Sequence, residues 1–279
     1  MTPELARAVD GMTAATWSLD DDVLGSDAWT WGPYDEVRFA HLQTALELDE
    51  LSARLRAQRG NSALALTEAQ IILGEHQRAY RALRAHAIGL DDEDFDREPA
   101  PGEWPFRGVL RHAMFAERYF LGTILFTLAS DKPPEQAPDE EQRAALLQDE
   151  APDESASQEE MWSSYAELHE RVLSDLSGLS DSDLDLLAPM WEPQRYPIRF
   201  RMHRFAAHLR EHTNQAGKTI RGIGRPPTES VMLLTQTHDA LATVEGACIG
   251  APELAAQSDD LAAQIERRTA EVTAAVRGG

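Results

Sequence analysis

The chain has 279 residues, and 42% of them are hydrophobic, enough to close a sizeable core and too many for a disordered chain. Acidic residues outnumber basic ones 48 to 26, a formal net charge of -22 that argues against a phosphate-binding surface for nucleic acid and against docking on anionic lipid. The single cysteine, Cys248, excludes an intramolecular disulfide and a Cys-rich metal site. No basic-then-apolar leader opens the sequence and no apolar run reaches the length of a membrane span, so a soluble, cytoplasmic protein is expected.

Helical patterns dominate, and sustained strand alternation is nearly absent. Residues 3–15 read as a short helix, and 18–36 as a turn-rich connection whose Trp29 and Trp31 anchor a loop onto a core. From Tyr34 to about Arg59 the apolar positions Val37, Leu42, Leu46, Leu48, Leu51 and Leu55 predict a helix ended by Gly60-Asn61; His41 within it reads as a packed or surface residue. Residues 64–88 follow, with Leu66, Ile71, Ile72, Leu73, Tyr80 and Leu83 as core candidates. After a loop over 89–104, Pro105 opens a helix to about Ala129, the most apolar of the chain and therefore central. His112 lies near its start, on the face of Gly108, Phe115, Ala116 and Tyr119. A histidine on the inner face of a buried helix is costly without a partner.

The stretch 130–160 is an acidic, Pro- and Ser-rich surface excursion with one helical turn near Arg143–Leu147, its carboxylates a solvated face. Residues 158–177 form a helix with Met161, Trp162, Tyr165, Leu168, Val172 and Leu176 on its apolar stripe, beside which His169 has no evident partner. Residues 179–197 connect irregularly to a helix over 199–224. Two more helices are expected over 228–247 and 251–277. The last carries a narrow seam of Leu254, Leu261, Ile265 and Val272, suited to packing on the bundle or on a second subunit, so a homodimer is a reasonable expectation.

The chemistry concentrates in the helix over 199–224. His208 and His212 are four residues apart and stack on one face, with Phe205, Gln215, Ala216 and Thr219 along the same stripe. Two imidazoles so spaced can hold one metal ion, although such a pair can equally be a hydrogen-bonded core feature. The helices over 64–88, 105–129, 158–177 and 197–223 have the lengths and amphipathicity of a four-helix bundle. Facing helices of a bundle project ligands inward, which makes His112 the natural third ligand. Glu117 and Glu211 point elsewhere by spacing and rank as surface or supporting residues; His203 is a poor candidate ligand.

The stretch EPAPGEWPFRGVLRHAMFAERYF (98–120) resembles the tryptophan–histidine–glutamate block of DinB/YfiT-like proteins, with Trp104, His112 and Glu117 in register. AAHLREHTNQAGKTIRGIG (206–224) resembles their HxxxHxxQ helix ending in a glycine turn. The resemblance covers roughly 64–224. It implies an all-α, DinB/YfiT-like four-helix bundle over 63–225, with an N-terminal helical extension (1–62) and a C-terminal helical hairpin (226–279) added. It further implies a divalent metal ion, zinc, nickel or iron, on His112, His208 and His212. Bacterial relatives of this kind include thiol-dependent S-transferases and a mycothiol-dependent isomerase. The activity implied is therefore transfer of a low-molecular-weight thiol or hydrolysis of a small-molecule substrate at an open coordination position, with Gln215 orienting the bound water or substrate or supporting a ligand. The alternatives are a metal- or ligand-binding module without turnover, and a helical scaffold whose histidines are core residues.

Overall fold

The computed structural model describes residues 2–147 and 156–278. In chain order the helices are α1 (Pro3–Thr16), α2 (Asp21–Leu24), α3 (Arg38–Gly60), α4 (Glu68–Ala85), α5 (Asp92–Asp96) and α6 (Phe106–Leu128). They continue as α7 (Glu140–Leu147), α8 (Gln158–Leu176), α9 (Asp181–Leu184), α10 (Ile198–Gly222), α11 (Glu229–Cys248) and α12 (Asp259–Gly278). A 3-10 turn over Pro252–Ser258 precedes α12, and two short strands, β1 (Leu187–Ala188) and β2 (Tyr196–Pro197), pair antiparallel ahead of α10. The fold is all-α, a DinB-like helical bundle. No helix among the described residues is long and apolar enough to cross a membrane.

The chain divides into two compact units. One comprises residues 1–66, 80–90 and 224–279. Its core gathers Leu5, Val9 and Met12 of α1, Leu48, Leu51 and Leu55 of α3, Leu241 and Val244 of α11, and Leu261, Ile265 and Val272 of α12. The narrow seam of α12 is thus consumed against α1 and α3. Trp29 packs on this core, as its spacing suggests, and Cys248 is buried and free. Arg59 is buried and donates to the carbonyl of Leu64 in the loop after α3 and to those of Ala247 and Ile249 at the end of α11, where helix termination leaves carbonyls without helical partners.

The other unit comprises residues 67–79 and 91–223. α6 is its centre, with α7, α8 and α10 packed on it. Its apolar sequence is explained by burial on several sides, from Phe106 and Leu110 through Ala113 and Phe120 to Ile124. A capping box starts α8: the Ser157 hydroxyl accepts from the Glu160 backbone N–H, and Glu160 reaches back to the Ser157 N–H. The β1–β2 pair sets the entry to α10, whose buried Arg201 donates to the Ala188 carbonyl at 3.2 Å. Gly222 ends that helix against Pro99, whose Cβ would lie 2.6 Å from any side chain added there.

Several expectations are corrected. Leu46, Ile71 and Phe115, read as core or inner-face positions, are all more than half exposed. They lie on the correct helices but off the buried arc, because hydrophobic type alone does not select a face. The helix expected from residue 64 begins at Glu68. The turn near Arg143–Leu147 is the last part of α7, whereas 148–155, within the stretch assigned to a solvated acidic face, lie outside the described residues.

Candidate metal centre

The pairing of α6 with α10 brings His112 to His208 and His212. His112 Nε2 lies 3.2 Å from His208 Nε2, and His212 Nε2 lies 3.1 Å from the same atom. One ligand atom from each ring falls within 4.8 Å of the other two, a grouping that can hold a metal ion. His212 is buried, while His112 and His208 are half-buried and open to solvent on one side. Trp104 rims that side, its ring 5.2 Å from His112. The Trp104 carbonyl accepts from the Thr219 hydroxyl of α10, and Gly108 gives the indole room, since a Cβ there would meet the Trp104 Cβ at 3.3 Å. Across the site the Phe120 ring stands edge-on to His208 at 5.6 Å.

Two of the rings are biased towards the neutral form. Burial, then the facing His212, pushes the His112 pKa down, opposed in part by Glu211. His208 is lowered to about 4, by burial first, then by His212, His112 and Arg204, with Glu117 opposing. Gln215, one turn after His212, presents its side-chain carbonyl to His212 Nδ1 at 2.9 Å. That places the ring proton on Nδ1 and turns the Nε2 lone pair inward, as a metal ligand requires. His208 Nε2 faces two imidazole nitrogens at once, and a single N–H serves two such acceptors poorly. One cation at the convergence satisfies all three, so the donor set fits a divalent ion. His203 is exposed and takes no part.

A second cluster lies in the same unit, and only part of it was anticipated. Glu117, ranked as a surface or supporting residue from its spacing, is 2% exposed. His76 Nε2 and His169 Nδ1 each lie 3.0 Å from its Oε1, and the Tyr165 hydroxyl donates to Oε2 at 2.8 Å. His169, which showed no evident partner in the sequence, also reaches Gln77 Oε1 through Nε2 at 2.6 Å. Both of its ring nitrogens thus face acceptor oxygens, so the ring spans the Glu117 carboxylate and the Gln77 carbonyl. Burial alone would raise the Glu117 pKa, but His76 and His169 outweigh it and hold the carboxyl well below its ordinary range. His76, Glu117 and His169 form a second grouping able to hold a metal, here fully buried. Phe205 and Phe120 stand between the two clusters, the first 5.0 Å from His76 and 5.5 Å from Phe120. His76 was legible as a polar residue three after Leu73 and four before Tyr80 on the apolar stripe of α4. Glu117 was missed because five residues carry it off the His112 face onto another face of α6 that is also buried.

The fold and these clusters define a helical-bundle protein with a three-histidine candidate metal centre beside a buried His–Glu–His core. The chain belongs to the DinB superfamily, whose family model matches residues 75–216, just over half of its length and including every member of both clusters. No curated protein and no solved structure matches it.

Proposed function

We propose that this protein is a metal-dependent enzyme acting on a small molecule, by transfer of a low-molecular-weight thiol or by hydrolysis, with a divalent ion on His112, His208 and His212. The observation that carries the proposal is the convergence of the His112 and His212 Nε2 atoms on His208 Nε2, at 3.2 and 3.1 Å, on a face left open to solvent. Zinc, nickel and iron all accept three imidazoles. A bound ion with an open position supplies Lewis acidity, stabilising hydroxide or thiolate near neutral pH.

The chain's own residues do the rest. Gln215 fixes the tautomer of His212, and burial keeps His112 and His208 unprotonated and able to ligate. Trp104 and Phe120 restrict solvent around His112 and His208 and offer flat apolar walls to a substrate. With no cysteine at the site, a reacting thiol comes from a small molecule. A soluble cytoplasmic setting fits this chemistry.

Elemental analysis of the purified full chain tests the proposal, wild type beside His112→Ala and His208→Ala. About one metal ion per chain, lost in both variants, is the expected result, followed by metal-dependent turnover with thiol-acceptor or hydrolysable substrates. Metal retained at full stoichiometry in His208→Ala would assign it to the buried His76–Glu117–His169 group and defeat the proposal. The second reading, a binding module without turnover, is favoured if the metal is present and no substrate class reacts; among the described residues no carboxylate, the nearby Glu211 included, is hydrogen-bonded to the three histidines to act as general base.

A further inference from the structure

Arg204 lies one turn before His208 on α10, and His212 one turn after, so three side chains line one face. The Arg204 guanidinium carbon sits 5.7 Å from the centroid of the Trp191 ring. Trp191 is 57% exposed and contacts Phe120, the ring that stands against His208. Arg204 and the three-histidine centre therefore share one aromatic wall. Yet among the described residues Arg204 has no carboxylate partner, and its Nε is buried without a hydrogen bond. Its neighbours on the helix are matched: Arg201 to Glu192 at 3.0 Å, Arg199 to Glu68 and Asp185, and Arg210 to Glu75.

In a chain with 48 acidic residues, one unmatched half-buried guanidinium beside the site departs from the pattern. It is also costly, since a positive charge one turn from His208 opposes a metal cation there. An anion seated between the two satisfies both. A single guanidinium stacked on an indole presents a planar fork suited to one carboxylate. It leaves a phosphate dianion only half neutralised, because Arg199, Arg201 and Arg210 of the same helix are already paired.

We propose that Arg204, on its Trp191 platform, anchors the carboxylate of the substrate, so that the three-histidine centre works on a small organic acid. The acid group then lies about one helical turn from the metal-directed end. This inference rests on the proposed function and assigns its substrate class.

The test titrates the zinc-loaded full chain calorimetrically with 3-mercaptopropionate and, separately, with its methyl ester. The two probes share the thiol and the carbon chain, and the ester replaces the negative charge with a methyl cap. Wild type is expected to bind the acid at least about tenfold more tightly, the scale of one charge-assisted hydrogen-bond pair. Arg204→Gln, and Arg204→Met, which keeps the aliphatic stem on Trp191, are expected to bind acid and ester alike while retaining zinc and helicity. Equal affinity for acid and ester in wild type, or a preference surviving in either variant, overturns the proposal. Zinc content of the same samples reports separately on the three-histidine centre. Should no zinc bind, that centre fails, and the acid–ester comparison on the metal-free chain still decides the role of Arg204.

Discussion

His212 donates its Nδ1 proton to the Gln215 carbonyl at 2.9 Å, and that one bond decides which nitrogen of the ring faces His208. In the proposed centre Gln215 would act through His212, as a positioning residue. Gln215→Leu removes the acceptor without adding bulk, freeing the ring to rotate or to exchange tautomers. Zinc affinity, measured by competition with a chelating dye, is expected to fall about 10- to 100-fold. An unchanged affinity would mean that packing alone orients His212.

Glu117 is a buried carboxylate on which His76, His169 and the Tyr165 hydroxyl all converge. Glu117→Leu removes the acceptor that Tyr165, His76 and His169 share, and is expected to cost about 3–5 kcal/mol in urea unfolding. Because the folded carboxyl sits below its ordinary value of 4.5, its contribution is present above that pH and lost as the pH falls below it. The variant's stability should therefore depend less steeply on pH in that acid range than wild type does.

Two histidines of the other unit add to the acid sensitivity from a higher pH. Burial lowers His41 to about 4, and burial with Arg81 and Arg84 lowers His238 to about 3. Unfolded, both take up protons near 6.5, so stability is lost as the pH falls from there towards 3, by up to about 1.4 kcal/mol per unit for each group. His238 Nε2 meets the Thr13 hydroxyl at 3.0 Å, whereas neither His41 nitrogen has a hydrogen-bond partner among the described residues. His41→Leu is expected to raise the melting temperature at neutral pH and flatten the acid limb; a lower melting temperature would show that the ring is needed for packing.

Arg81 and Glu245 form a buried pair, with Arg81 Nε 2.9 Å from the carboxylate. Burial would lower the Arg81 pKa, but Glu245 raises it beyond the ordinary value, so the charge persists at any working pH. Arg81→Met removes a buried, doubly hydrogen-bonded guanidinium from Glu245 and is expected to destabilise by about 3–5 kcal/mol. The double variant Arg81→Met/Glu245→Leu should recover most of that loss, and no recovery in a thermal melt would argue against a direct pair.

The helices α6, α8 and α10 were legible within a residue or two, because a continuous apolar stripe and local stop signals act along the chain itself. The stacking of His208, His212 and Gln215 was legible for the same reason: helical geometry alone puts them on one face. His112 was reachable only by supposing that two helices face each other, or through the family resemblance. Nothing local joins His76, Glu117, His169 and Tyr165, which come from three helices and meet only when α4, α6 and α8 pack around one carboxylate. Likewise Leu46, Ile71 and Phe115 are apolar in type yet exposed, and Glu117 is charged yet buried. Sequence alone determined which segments become helices and which residues share a face. The tertiary structure decided which faces are covered and which distant side chains complete a site, because burial and charge pairing depend on neighbours that periodicity does not specify.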